Sequence, residues 1–226
     1  MYTCKNRKIY GEGGEGSWYV CHDEPFAPKP GCLALSFGIA NLWQFDDQME
    51  KFGCEVYAFD PSMNKPDHRH SKKVWFYDLG VGGSDTDSFI PRKDEYVESD
   101  QVWKVRTVRS ILKMVKRENR IIDFFKIDIE GTEFDVLHNI LSDGTINIVK
   151  QYLVEYHVFG EKRFSMGQYA ADMKKTLEIG FRPFYVLNKI FNTNSDNYRW
   201  QADMGFINTK FFPHSKNSNV SSTSTY

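Results

Sequence analysis

Apolar residues in this chain fall in short continuous runs, and between the runs they recur at helical spacing. Residues 32–37 form the first run and end at Gly38, after which Leu42, Phe45, Met49 and Phe52 share one face of a helix. A second run over 54–59 closes on Asp60-Pro61, where proline stops the ladder. Residues 73–77 read as strand three, and Gly80, Gly82 and Gly83 then allow sharp turns. Residues 84–104 are polar with scattered aromatics and predict a long surface excursion suited to a lid. Val108, Ile111, Leu112 and Val115 mark a helix, 121–127 a fourth strand, and Phe134, Leu137 and Leu141 the stripe of the next helix. A fifth strand over 148–156 is followed by a helix carrying Tyr169, Met173 and Leu177, opened by a capping box from Ser165 to Gln168 and stopped by Gly180. The last two strands, 184–187 and 204–207, are joined by the polar stretch 188–203 with no helix, so they must be antiparallel neighbours. The alternation predicts an α/β fold: a mostly parallel, doubly wound sheet with helices on both faces and a closing antiparallel pair.

The ends differ in texture from this middle. Residues 1–31 are rich in Gly and Pro and predict an irregular lead-in, residues 32–212 a single domain, and residues 213–226 a disordered polar tail. Gly11, Gly13, Gly14 and Gly16 only superficially resemble a phosphate loop, since no Lys-Ser or Lys-Thr follows. In the tail, Asn219-Val220-Ser221 fits the glycosylation pattern, a motif that arises often by chance.

Charge narrows the partners. The chain's 29 Lys plus Arg nearly cancel its 30 Asp plus Glu, so no overall field draws in nucleic acid or an anionic membrane, and a small or neutral ligand fits better. Lys113, Lys116, Arg117 and Arg120 lie at helical spacing and read as a solvated helix face. No apolar run is long enough to span a bilayer. None of Cys4, Cys21, Cys32 and Cys54 has zinc-site spacing, and His68 and His70 lack a carboxylate or thiolate at fixed spacing, so no metal is expected. Cys32 and Cys54 open neighbouring strands and can meet at the bottom of the sheet, with Cys4 and Cys21 clipping the lead-in. Such pairing implies an oxidising compartment and a targeting segment outside this chain, whereas four free thiols imply a cytosolic protein. Both readings stand on the sequence.

The candidate chemistry centres on the end of strand four, where Lys126-Ile127-Asp128-Ile129-Glu130-Gly131 carries alternating carboxylates into the next helix. Ligands of open α/β sheets bind beyond the carboxyl ends of the strands. The plainer alternative is that Asp128, Glu130 and Glu133 cap the helix. A glycine turn at Gly38 and an acid at Asp60 suit a ligand with ribose hydroxyls. The GxGxxG pattern is absent, which disfavours a pyrophosphate and puts a dehydrogenase behind other readings.

Leu35-Ser36-Phe37-Gly38-Ile39, Phe45-Asp46, the segment from Gly53 to Pro61, Lys126 to Gly131, and Glu155-Tyr156-His157 together resemble the FkbM-type S-adenosylmethionine-dependent methyltransferases, and more closely their animal methyltransferase-like relatives. The resemblance covers roughly residues 32–208. It implies a class I, Rossmann-like sheet of about seven strands with the last antiparallel, and S-adenosyl-L-methionine as cofactor. It further implies that Ser36 and Gly38 line the methionine end, Asp60 holds the ribose, and Gly80 and Gly82 border the adenine. Asp128, Glu130 and His157 would face the transferred methyl group. Ser36 stands where many such enzymes carry an acid, and Thr107-Val108-Arg109 replaces a Thr-Leu-Asp element. His157 is then the candidate general base, with Asp128 orienting the acceptor or sharing the task, against the alternative of a histidine simply bonded at a strand end. Glu155 is expected to pair with Lys126 across strands. The function implied is methyl transfer to oxygen of a small molecule or glycan; the rival is a catalytically silent binding or interaction module with the same sheet.

Overall fold

The computed structural model describes residues 1–11, 13–94, 96–97, 99–159, 166–191 and 199–213. In chain order the elements begin with β1 (Arg7–Tyr10), β2 (Trp18–Cys21), β3 (Leu33–Phe37), α1 (Gln44–Lys51) and β4 (Glu55–Phe59). Next come β5 (His68–Arg69), β6 (Val74–Tyr77), β7 (Gly80–Val81), β8 (Thr86–Phe89), β9 (Trp103–Arg106) and α2 (Val108–Met114). The chain continues through β10 (Ile122–Ile127), α3 (Glu133–Asp143), β11 (Val149–Phe159), α4 (Met166–Glu178), β12 (Phe181–Phe191) and β13 (Arg199–Asn208).

The main sheet runs in the order β12-β13-β11-β10-β3-β4-β6-β5. From β11 through β6 the pairings are parallel, while β13 lies antiparallel to both β11 and β12. The expected seven-strand order with one antiparallel strand is therefore present, and the two-residue β5 adds an eighth at the edge. Parallel strands covered on both sides need apolar residues at every position, which is why the runs show no polar alternation. Leu33, Leu35, Phe37, Tyr57, Phe59, Phe125 and Ile127 point into the core under α2, α3 and α4, while Ala34, Val56, Ala58 and Phe124 point to the opposite face.

Among the described residues that opposite face carries one eight-residue helix, α1, and the chain's beginning completes its cover. The lead-in is thus not irregular throughout, as its glycines and prolines suggested. β1 and β2 form an antiparallel hairpin, and Tyr10, Trp18, Val20 and Phe26 are buried with Phe45 and Met49. Gln151 of β11 fixes the hairpin with hydrogen bonds to the Cys21 N–H and to the carbonyls of Cys21 and Phe26. Disulfides join Cys32 to Cys54, at the starts of β3 and β4, and Cys4 to Cys21, which clips the lead-in; these are the pairings of the oxidised alternative.

Two further expectations change. The excursion over 84–104 contains β8 and begins β9, which make a three-stranded sheet with β7 in the order β7-β9-β8. β12 and β13 are longer than predicted, since the polar stretch after residue 187 continues their pairing as far as Phe191 with Arg199. The capping-box Ser165, residues 192–198, the tail over 214–226 and Asn219 lie outside the described residues. No helix among the described residues is long and apolar enough to cross a membrane.

Candidate active site

Strand register assembles the site. Phe37 pairs with Phe59 on one side and Ile127 on the other, so β3, β4 and β10 end flush and deliver Gly38, Asp60 and Asp128 to one rim. The Gly38 N–H donates to the Phe59 carbonyl at 3.0 Å, and the Asp128 N–H to the Phe37 carbonyl at 3.1 Å. Gly38 has a φ of +75°, and a Cβ there would stand 1.6 Å from the Asp128 carbonyl oxygen. Only glycine fits this close approach. Asp60 then locks the turn. One carboxylate oxygen accepts from the N–H groups of Ile39 and Ala40, both at 2.8 Å, and the other from the N–H and hydroxyl of Ser62.

Beyond the rim lies a cleft of about 1350 Å³, its open mouth included. Apolar and aromatic groups wall one end, among them Val81, Phe89, Trp103 and Val105. At the other end the acids gather. His157, reaching in from β11, lies 3.9 Å from Asp128, 3.6 Å from Glu130 and 3.7 Å from Glu155 through Nε2. Its Nδ1 is 2.9 Å from Glu133 Oε1. Glu133 is fully buried at the start of α3, and its carboxylate also accepts from the N–H groups of Ile129 and Gly131. Glu133 thus ties the loop before α3 to His157 without capping the helix, and Asp128 and Glu130 face the cleft.

These neighbours set the charges. Burial alone would lower the His157 pKa, but the charge and hydrogen bond of Glu133, with Asp128 and Glu130, outweigh it and raise it to about 10. Glu133 is lowered, because His157 overcomes the effect of its burial. Burial first, and then the charge of Glu155, holds Asp128 well above the usual carboxylate range. Burial raises Glu130 to about 7 against the opposing pull of His157. Glu130 also sits at a φ of +58°, a conformation that L residues rarely adopt, and Arg92 approaches its carboxylate to 3.6 Å.

Six of the expected residues, Gly38, Asp60, Gly80, Asp128, Glu130 and His157, line this one cleft. Ser36 and Gly82 do not. Ser36 is fully buried on the α1 face beside Asp46, whose carboxyl is raised to about 6 by burial against the pull of Lys126. Gly82 borders a neighbouring groove with Thr86 and His138. Lys126 donates to the carbonyls of Phe37 and Gly38 and so braces the glycine turn from inside. Arg109 bonds Asp143 at the end of α3, 3.0 Å away, and Thr107 caps α2. His70 stacks on Trp43 and pairs with Asp47. Sequence reasoning did not single out Trp18, Glu15 and Arg92 as cleft residues, since each lies in a segment without periodic signal.

Asp128, Glu130 and His157 bring three ligand atoms within 4.8 Å of one another. Glu133 holds Nδ1, which leaves Nε2 as the ring atom that faces these acids. S-adenosylmethionine also matches this donor set. The apolar end accepts an adenine, and the carboxylates suit a sulfonium and an ammonium. One expected contact needs revision: the Asp60 carboxylate already accepts four hydrogen bonds, so it reaches a ribose only by giving up part of the turn.

Strand order, the antiparallel β13 and the flush rim define a class I α/β methyltransferase fold. A family model described as a methyltransferase domain, Methyltransf_22, matches residues 1–207. The chain belongs to this methyltransferase family, and S-adenosylmethionine is the cofactor that goes with it. The rat and human proteins named "Probable methyltransferase-like protein 24" are each 26% identical to it over 147 residues, which is 62% of this chain and 38% of theirs. The match thus spans well under half of those relatives. Among solved structures, M. jannaschii TYW2 in complex with AdoMet aligns with a TM-score of 0.29 and 10% identity, over 92% of this chain and 89% of that one. A Haemonchus contortus phosphoethanolamine-type N-methyltransferase solved with S-adenosylhomocysteine aligns with a TM-score of 0.30 and 9% identity, over 79% and 49%.

Proposed function

We propose that this protein transfers the methyl group of S-adenosylmethionine to an oxygen of a small molecule or glycan, with Glu130 as the base. The observation that carries this reading is a cleft carboxyl held at about 7, beside a histidine held as a cation. A general base works best with a pKa near the operating pH. The sequence had put His157 in that role, but an imidazolium has no lone pair for a proton. His157 instead orients the acids around it and offsets their repulsion. The cofactor supplies its methyl group as a sulfonium, leaving a neutral thioether. Glu130 takes the acceptor hydroxyl's proton as the new C–O bond forms, and the buried walls of the cleft exclude water.

The direct test has two parts. Calorimetry should detect S-adenosylmethionine and S-adenosylhomocysteine binding, and labelled methyl donor in a native metabolite or glycan extract should yield an O-methylated product. Binding without any transfer would favour the silent module, to which Ser36 in place of an acid lends weight; Arg109 no longer does, because it serves the α2–α3 contact. No binding to folded protein would end the methyltransferase reading and leave an interaction module.

Two disulfides also support a secretory or extracellular setting. Non-reducing mass spectrometry of protein from its native source checks this: two intact bridges are expected, and four free thiols would refute it.

A further inference from the structure

The N-terminal hairpin leaves an unmet donor at the cleft. Trp18, the first residue of β2, lines the cleft and is only 6% exposed, yet its indole Nε1 is buried without a hydrogen-bond partner. A buried indole N–H ordinarily finds an acceptor. The Lys126 ammonium lies 5.3 Å from the centre of the same ring. Its bonds to the carbonyls of Phe37 and Gly38 use two of its three donors and leave the third. A neutral donor at the edge of the ring and a charged donor over its face suit a carboxylate. Close by, Glu15, from the turn that joins β1 to β2, brings a carboxylate oxygen within 4.8 Å of those of Asp128 and Glu155. Three acids so close suit a cation. A carboxylate seat beside an ammonium seat is the complement of an amino acid zwitterion.

We propose that the N-terminal hairpin closes the methionyl end of the cofactor seat, with Trp18 and Lys126 holding the α-carboxylate and Glu15, with Asp128 and Glu155, holding the α-ammonium. The proposal rests on the cofactor reading given above. It also explains how the site does without an acid at Ser36, since the ammonium is gripped from the hairpin and from β11 instead. Trp18 and Glu15 are then positioning residues for the cofactor's amino acid half and leave its nucleoside half alone.

Calorimetry on the intact, disulfide-bonded protein tests this with three ligands: S-adenosylhomocysteine, its decarboxylated analogue, and 5′-methylthioadenosine, which lacks the whole amino acid end. Trp18→Phe should weaken S-adenosylhomocysteine about tenfold, the value of one charge-assisted hydrogen bond, and leave 5′-methylthioadenosine unchanged. The decarboxylated analogue should bind the wild type weakly and lose nothing more in the variant. Equal losses for all three ligands, or no loss for S-adenosylhomocysteine, would overturn the proposal. Should Trp18→Phe fail to fold, Glu15→Gln at its exposed turn decides: weaker S-adenosylhomocysteine with unchanged 5′-methylthioadenosine is expected, and unchanged affinity for both would refute it. Failure of every ligand to bind the wild type would remove the cofactor reading itself, a result distinct from a Trp18 variant that behaves like the wild type.

Discussion

At the scale of single residues, two positions separate shape from chemistry. Gly38→Ala places a methyl group 1.6 Å from the Asp128 carbonyl at a positive φ, so β3 and β10 must part at the rim. The strain alone is worth about 1–3 kcal/mol, and calorimetry should show cofactor binding lost even where the variant still melts cooperatively. Glu130→Gln keeps the side chain's shape and removes its basicity. It should lower kcat by about a hundredfold to ten-thousandfold while S-adenosylhomocysteine affinity holds, and wild-type kcat/KM should rise with pH through about 7 as Glu130 releases its proton. A rate independent of pH across that range would remove Glu130 as the base. The sequence exposed both positions because each sits where an apolar run stops. It could not show the charge state of Glu130, which depends on its burial and on His157, Glu133 and Asp94 arriving from separate segments. The proposed move of the base from His157 to Glu130 rests on a surrounding the sequence does not show: four carboxylates around one imidazole are visible only after β11 is laid beside β10.

At the scale of elements, legibility followed periodicity. Strands β3, β4, β6, β10 and β11 and helices α1 to α4 all announce themselves as runs or stripes. The β1–β2 hairpin does not, because its strands are four residues each and lie among glycines. What holds it is tertiary: burial of Trp18 and Val20 on the sparsely covered face, the Gln151 hydrogen bonds, and the Cys4–Cys21 bridge. A hairpin this short is marginal alone. The Cys32–Cys54 bridge does different work, tying the starts of β3 and β4, opposite the rim. It closes a loop of 22 residues, so Cys32→Ala with Cys54→Ala should cost about 3 kcal/mol in urea unfolding with little change in cofactor affinity. Cys4→Ala with Cys21→Ala frees the hairpin and should instead weaken S-adenosylhomocysteine along with stability. Equal effects of the two pairs on affinity would contradict this division between a foundation bridge and a site bridge.

At the scale of the whole molecule, the acid cluster makes stability depend on pH in an unusual direction. His157 has a folded pKa raised from 6.5 to about 10. A raised basic group contributes stability that is fully present below its unfolded pKa and is lost as pH rises through the folded value. Each unit of separation is worth about 1.4 kcal/mol. The raised carboxyls act in the same direction at lower pH: Glu130, at about 7, and Asp46, at about 6, keep their protons in the fold where the unfolded chain has released them. Each therefore costs stability as pH climbs from the ordinary carboxylate range to its own raised value. Glu133 opposes them, since its lowered pKa contributes stability above the ordinary carboxylate range and loses it only in acid. At pH 7 Asp46 is largely ionised and Glu130 half so, and the loss from there to pH 10 combines the rest of Glu130, the raised Asp128 and His157. Urea unfolding of the wild type should show a steady loss of stability across that window, and His157→Gln, less stable at the outset, should show a shallower one. A wild type whose stability holds or rises from pH 7 to 10 would mean that His157 is neutral in the fold. The proton would then have a place to go on the imidazole, and the assignment of the base would return to His157.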